Sequence, residues 1–174
     1  MDVKDRLIAE LGSLPAIVNL VDQRKRGYHL EVLLTPKIIR DFSLLMRRLD
    51  FYLVFVSAVH LDPEVEIIYQ FANYHGPCRT LARAFVPADG IIPTISDIFH
   101  GANWHERETR DMFGVVFSGH PFLLPLLLPE EDADLKPLLK KAAALKSAER
   151  IRRIAELATP VAVDNTGKNN PEQN

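Results

Sequence analysis

Between Trp104 and Phe113 the sequence reads WHERETRDMF, which sets five charged side chains, Glu106, Arg107, Glu108, Arg110 and Asp111, within six residues. Trp104, Met112 and Phe113 flank them directly. Side chains of this kind can move protons, bind cations or fix a neighbouring segment. On a helix Arg107 would face Asp111 at i,i+4, and Glu106 would face Arg110 in the same way. Arginine's planar fork makes both pairs capable of bidentate bonds where the helix is partly buried. The competing reading is a solvated charged face, but the aromatic flank argues that the charges lie close to a packed surface.

Other candidate chemistries find little support. His100, His105 and His120 suggest a metal, with Glu108 near His105, yet His100 and His105 are five residues apart and no His-Glu-x-x-His arrangement occurs. Glu106 and Glu108 point to different sides of a helix, so they do not make an acid/base pair. The single cysteine, Cys78, lies three residues after His75 and next to Gly76-Pro77, which reads as a small residue at a strand edge rather than a nucleophile. One cysteine also cannot supply the thiolate set of an iron–sulfur cluster or a cysteine-based zinc site. No glycine-rich phosphate loop follows a strand, and Gly167-Lys168 lacks the spacing such a loop needs.

The chain of 174 residues carries 21 Lys plus Arg against 23 Asp plus Glu, so no net positive field attracts phosphate backbones. At 47% apolar composition it can bury a core, and one domain with tails is expected. The start, MDVKDRLIAELG, lacks the apolar run of a signal peptide. The longest apolar stretches, 51–59 and 121–129, are far shorter than the ~20 residues of a membrane span.

Hydropathy spacing predicts the elements that must hold the charged cluster. Val3, Leu7, Ile8 and Leu11 predict a helix ending at Gly12. Residues 16–21 and 28–34 predict a hairpin across Asp22–Gly27. Thr35-Pro36 opens a second helix running to Leu49. Three strands are predicted at 51–60, 65–74 and 79–86, with connections short enough to favour antiparallel neighbours. A helical pattern resumes at Thr94, with Ser96 as a cap, and again from Ala102 to Phe113, where Gly114 stops it. The order α-β-β-α-β-β-β-α predicts a two-layer α+β domain over residues 1–130, with a largely antiparallel or mixed sheet covered by helices. Residues 131–159 predict a basic C-terminal helix, Ala133 to Leu157, about 36 Å long at about 1.5 Å per residue. Residues 160–174 have the composition of a disordered tail.

From Glu106-Arg107-Glu108-x-x-Asp111-Met112-Phe113-Gly114 to Gly119-His120-Pro121, followed by Leu123, Leu126 and Leu127, the chain resembles the C-subunit family of NADH-quinone oxidoreductase, the respiratory complex I. The likeness extends over residues 1 to about 130 in element order. After His120 the pattern departs: Phe122, Leu123, Leu124 and Pro125 replace the family's Asp, Leu and two Arg, and Glu131-Asp132 replaces an Asp-Trp. The Leu-Leu-Leu-Pro-Glu ending is similar to homologous subunits of energy-converting membrane-bound nickel–iron hydrogenases and formate hydrogenlyases.

The resemblance implies a subunit without a cofactor or active site of its own. It implies packing against a large subunit that holds a quinone site or nickel–iron centre, beside a cluster-binding small subunit. Iron–sulfur clusters and a flavin or nickel–iron centre would belong to those partners, on the cytoplasmic face of the cell membrane. Within this chain, Pro121 to Pro129 contains no polar residue, and its three prolines forbid a regular helix or central strand. That composition suits an extended strip laid on a partner, so Phe122 and Leu124, with His120 at the start, are expected to form much of the contact.

Overall fold

The computed structural model describes residues 2–140 together with 146, 147 and 149. Helix α1 (Val3–Leu11) follows its apolar spacing and buries Leu7, Ile8 and Leu11. Strands β1 (Ile17–Leu20) and β2 (Leu30–Leu34) form the expected antiparallel hairpin, with Ile17 opposite Leu33 and Leu20 opposite Leu30. The connection holds one further turn of helix, α2 (Gln23–Arg26). Asp22 accepts the Arg24 N–H at 3.0 Å to start it. The second predicted helix begins as a 3-10 turn, Pro36–Ile38, and continues as α3 (Ile39–Arg48), whose buried side is Ile39, Phe42, Ser43, Leu45 and Met46.

Strands β3 (Phe51–Asp62), β4 (Val65–Asn73) and β5 (Arg79–Phe85) form an antiparallel run, as their short connections require. Strand β5 also pairs with β2, in parallel, so the sheet is mixed. A two-residue strand, β8 (Lys146–Ser147), lies beside Leu61 and Asp62 at the far edge, and the strand order is β1-β2-β5-β4-β3-β8. Ile67, Tyr69 and Phe71 alternate along β4 and enter one core with the buried faces of α1 and α3. Phe71 joins the layers, edge-on to Phe42 at 5.7 Å and 5.3 Å from Phe99. The two-layer α+β expectation holds.

A second, two-stranded parallel sheet is not legible in the hydropathy pattern: β6 (Ile91–Pro93) and β7 (Val116–Ser118), connected through α4 (Ala102–Phe113). It fixes both ends of the charged helix. Two expectations are corrected here. Thr94 does not open a helix, because its N–H donates to the Ser118 carbonyl at 3.0 Å and extends the β6–β7 ladder; turns occupy the chain until Ala102.

The basic helix from Ala133 is also not formed over residues 133–140. Glu130–Asp132 makes a 3-10 turn, followed by turns at 133–134 and 137–138 and irregular chain to Lys140. Pro137 lacks the N–H a helix interior needs and disfavours helical backbone at Lys136, which adopts φ 45°. The segment is instead tied down by Leu138 N–H to the Met112 carbonyl at 3.1 Å and by Lys140 N–H to His60 Nδ1 at 3.0 Å. The remainder of the predicted helix, apart from the β8 residues and Glu149, and the predicted tail lie outside the described residues.

Candidate functional site

Helix α4 has a polar buried side. Ala102, Glu106 and Thr109 recur at helical spacing and are buried, and Asp111 joins them near the end. Gly114, at φ 78°, closes the helix in the left-handed conformation and donates its N–H to the Arg110 carbonyl at 2.8 Å.

Glu106 has no solvent exposure. One carboxyl oxygen accepts the Ile95 N–H at 2.8 Å, and the other is bonded to the Thr94 hydroxyl. That hydroxyl also lies 2.8 Å from the Ser96 hydroxyl and accepts the Ser96 N–H at 3.1 Å. Burial pushes the Glu106 carboxyl up to about 7, against the opposing pull of the Ile95 and Thr94 bonds. From the other side Arg40 of α3 holds the same turn, donating to the Thr94 carbonyl at 2.7 Å and bidentately to Asp97 at 2.8 and 2.7 Å. Glu106 thus seats the turn between β6 and α4; the expected Glu106–Arg110 pair is not among its bonds.

Asp111, also without exposure, accepts three successive backbone N–H groups on a single oxygen: Leu126 and Leu127 at 2.8 Å and Leu128 at 3.2 Å. Arg110 lies 3.6 Å from its other oxygen. Burial alone would raise this carboxyl, but the three N–H bonds and Arg110 outweigh it and hold it below its ordinary range. Arg107 does not pair with Asp111 as its spacing suggested. Its Nε donates to the Leu124 carbonyl at 3.0 Å and its terminal nitrogen to the Pro125 carbonyl at 2.8 Å, with the guanidinium 5.3 Å from the Phe122 ring centre. Both charges are used on the loop instead of on each other.

That loop starts at Gly119, whose φ of 81° favours glycine and turns the chain inward after β7. The His120 side chain is consequently enclosed, with no exposed surface. Its Nε2 lies 3.2 Å from the Asn103 carbonyl and 4.0 Å from Glu106, while its Nδ1 accepts the Phe122 N–H at 3.0 Å. Burial holds the imidazole pKa below its ordinary value, aided by the Arg107 charge and opposed by the Asn103 bond.

Of the residues singled out from sequence, Glu106, Arg107, Asp111, Gly119 and His120 converge on this loop. Phe113 is partly buried against the core, and Glu108 is exposed on the outer side of α4. Pro121, Phe122 and Leu124 face outward; Phe122, Leu124 and Leu127 remain 55%, 50% and 58% exposed. Leu123 packs against the core. Sequence reasoning missed Thr94, Asp97, Arg40 and Asn103: Thr94 reads locally as the start of a helical stretch with Ser96 as its cap, and nothing in the sequence links Arg40 to a turn more than fifty residues away. Among the described residues no group of three or more His, Cys, Asp or Glu could hold a metal ion. Cys78 is buried, which raises its thiol to about 11, far from a nucleophile's range.

Residues 32–148 match the model of the family described as the respiratory-chain NADH dehydrogenase, 30 Kd subunit. The NADH-quinone oxidoreductase C-subunit of Acidothermus cellulolyticus is 33% identical over 141 residues, covering 74% of this chain and 71% of that one. The corresponding C-subunit of Herpetosiphon aurantiacus is 42% identical over 71 residues, 40% of this chain; the match spans only 42% of that relative's own length. Among solved structures, the trypsin-resistant fragment (1–134) of Nqo5 superposes with a TM-score of 0.59 at 25% identity, covering 70% of this chain and 99% of the fragment. The family match begins in β2 and runs through α4, the buried carboxylates and the Gly119-His120-Pro121 loop, and on that ground the chain belongs to the 30 Kd subunit family of respiratory-chain NADH dehydrogenase.

Proposed function

We propose that this protein is a structural subunit of a membrane-associated oxidoreductase complex of the NADH-quinone type, with no active site or redox cofactor of its own. It packs against and positions the large subunit that carries the quinone site or a nickel–iron centre. Iron–sulfur clusters and the flavin or nickel–iron centre reside in that subunit and its cluster-binding neighbours. Attachment is peripheral, at the cytoplasmic face; no helix among the described residues is long and apolar enough to cross a membrane.

The observation that carries this reading is the loop after His120. Two charged side chains of α4, Asp111 and Arg107, satisfy its backbone, and three large apolar side chains are held outward. Phe122, Leu124 and Leu127 fall within six residues on one loop, which Asp111 and Arg107 hold in place with these side chains presented to solvent, and that suits a surface to be covered by a partner. Burying one phenylalanine and two leucines would contribute on the order of several kcal/mol to association, part of which is lost to ordering.

Affinity purification of the tagged chain from its native membranes tests the proposal. A large catalytic subunit and iron–sulfur proteins are expected to co-purify, while the chain purified alone shows no visible chromophore and no stoichiometric iron, zinc or flavin. A chromophore on the isolated chain, or recovery of the chain without redox partners, would contradict it. The metal that arrives with the complex distinguishes a hydrogenase or formate hydrogenlyase from an NADH dehydrogenase.

A further inference from the structure

The imidazole of His120 is held between two backbone groups of opposite kind. Nδ1 accepts the Phe122 N–H at 3.0 Å, so it carries no proton, and the ring proton is on Nε2, which donates to the Asn103 carbonyl at 3.2 Å. This arrangement is open only to the neutral ring. A second proton must go onto Nδ1, where it would meet the Phe122 N–H donor to donor, and the enclosed side chain has no room to turn away without moving the chain around it.

We propose that His120 is an acid-sensitive latch: the neutral ring closes the first turn of the loop that carries Phe122 and Leu124 by accepting the Phe122 N–H, and protonation at Nδ1 opens that turn while Nε2 stays bonded to the Asn103 carbonyl of α4.

The surroundings fit a group that changes charge. Glu106 lies 4.0 Å from Nε2, and the Thr94 hydroxyl beside it can donate or accept, so either protonation state of Glu106 is satisfied. Arg107, on the same helix, opposes protonation of His120. Facing Glu106 from other elements are Asp97 of the turn after β6 and Arg40 of α3, paired with each other, and the buried Tyr69 of β4. Burial holds the His120 pKa below 6.5, so the latch is fastened at neutral pH and opens on acidification below that value. The far part of the loop stays anchored, because the carboxyl of Asp111 is held low and keeps Leu126 to Leu128 in place. Release is confined to the start of the loop. Any effect on assembly rests on the docking role proposed above; the latch is read on the isolated full-length chain, so the two can fail separately.

The test is nuclear magnetic resonance on the labelled full-length chain, following the His120 ring nitrogens and the protection of the Phe122 amide against exchange as pH is lowered. The ring is expected to carry its proton on Nε2 at neutral pH, and protection of Phe122 is expected to fall about ten-fold as Nδ1 titrates, the equivalent of one lost hydrogen bond. The Ile92 amide in β6 should hold its protection through the same range. In His120→Asn, whose side-chain oxygen can accept the Phe122 N–H without titrating, Phe122 should remain protected throughout. The latch is overturned if Phe122 keeps its protection while the ring titrates. It is equally overturned if the neutral ring carries its proton on Nδ1, or if Phe122 and Ile92 lose protection together.

Discussion

Glu106 and Asp111 are enclosed carboxylates on one helix, yet their surroundings move them in opposite directions. Asp111 gathers three N–H donors and an arginine and stays ionised. Glu106 has one N–H and a hydroxyl that can reverse its bond, so burial wins and its carboxyl rises to about 7. Asp111→Ala would leave three loop N–H groups without their acceptor, and a loss of about 2–3 kcal/mol in urea unfolding is expected, with Asp111→Asn losing less. A change within error would mean that the loop finds water instead.

The Glu106–His120 pair makes a second prediction. Glu106, raised from 4.5, binds its proton more tightly folded than unfolded, so its contribution is complete below 4.5 and lost as pH climbs through 7. His120, lowered from 6.5, does the reverse and loses stability as pH falls below 6.5. Between 4.5 and 6.5 the two slopes oppose each other. Glu106→Gln should therefore lose stability on acidification, relative to the parent, by up to about 1 kcal/mol per pH unit. His120→Asn should gain. Parallel curves for parent and variants in that window would contradict the opposed shifts of the two groups.

At the scale of elements, the three central strands and α1, α3 and α4 are legible because their apolar periods are long and their stops are strong, as Gly114 and the Thr35-Pro36 start show. The β6–β7 pair is not, since three residues carry no period, and its pairing spans the whole of α4. The spacing of Lys, Ala and Leu from Ala133 suggests an extended helix, and Pro137 is the residue that interrupts it within 133–140. The chain reversal after β7 rests on Gly119, where an added methyl would meet Thr94 at an ordinary 3.5 Å, so only backbone strain opposes it. Gly119→Ala should cost about 1–2 kcal/mol in chemical denaturation. Gly101→Ala, at φ −60° with nothing within 4 Å, should be neutral or slightly stabilising. Equal effects at the two glycines would remove Gly119 from its role as the turn that encloses His120.

At the scale of the whole molecule, the sheet and its helices build a frame whose polar bonds converge on one loop. Sequence identifies the residues at that place but not their pairing: i,i+4 spacing matches Arg107 to Asp111, while both reach across to a segment more than ten residues further along the chain. Side-chain spacing reports neighbours on one helix and is silent about a loop that returns to it. The apolar character of Phe122 and Leu124 is plain in the sequence, and their exposure becomes visible only because Leu123 takes the core position between them. The most direct measurement is therefore co-purification of the large catalytic subunit with the Phe122→Ser, Leu124→Ser double variant, alongside circular dichroism of the variant alone. The account predicts loss of the large subunit while the variant keeps the parent's fold and unfolding midpoint; undiminished co-purification would contradict it.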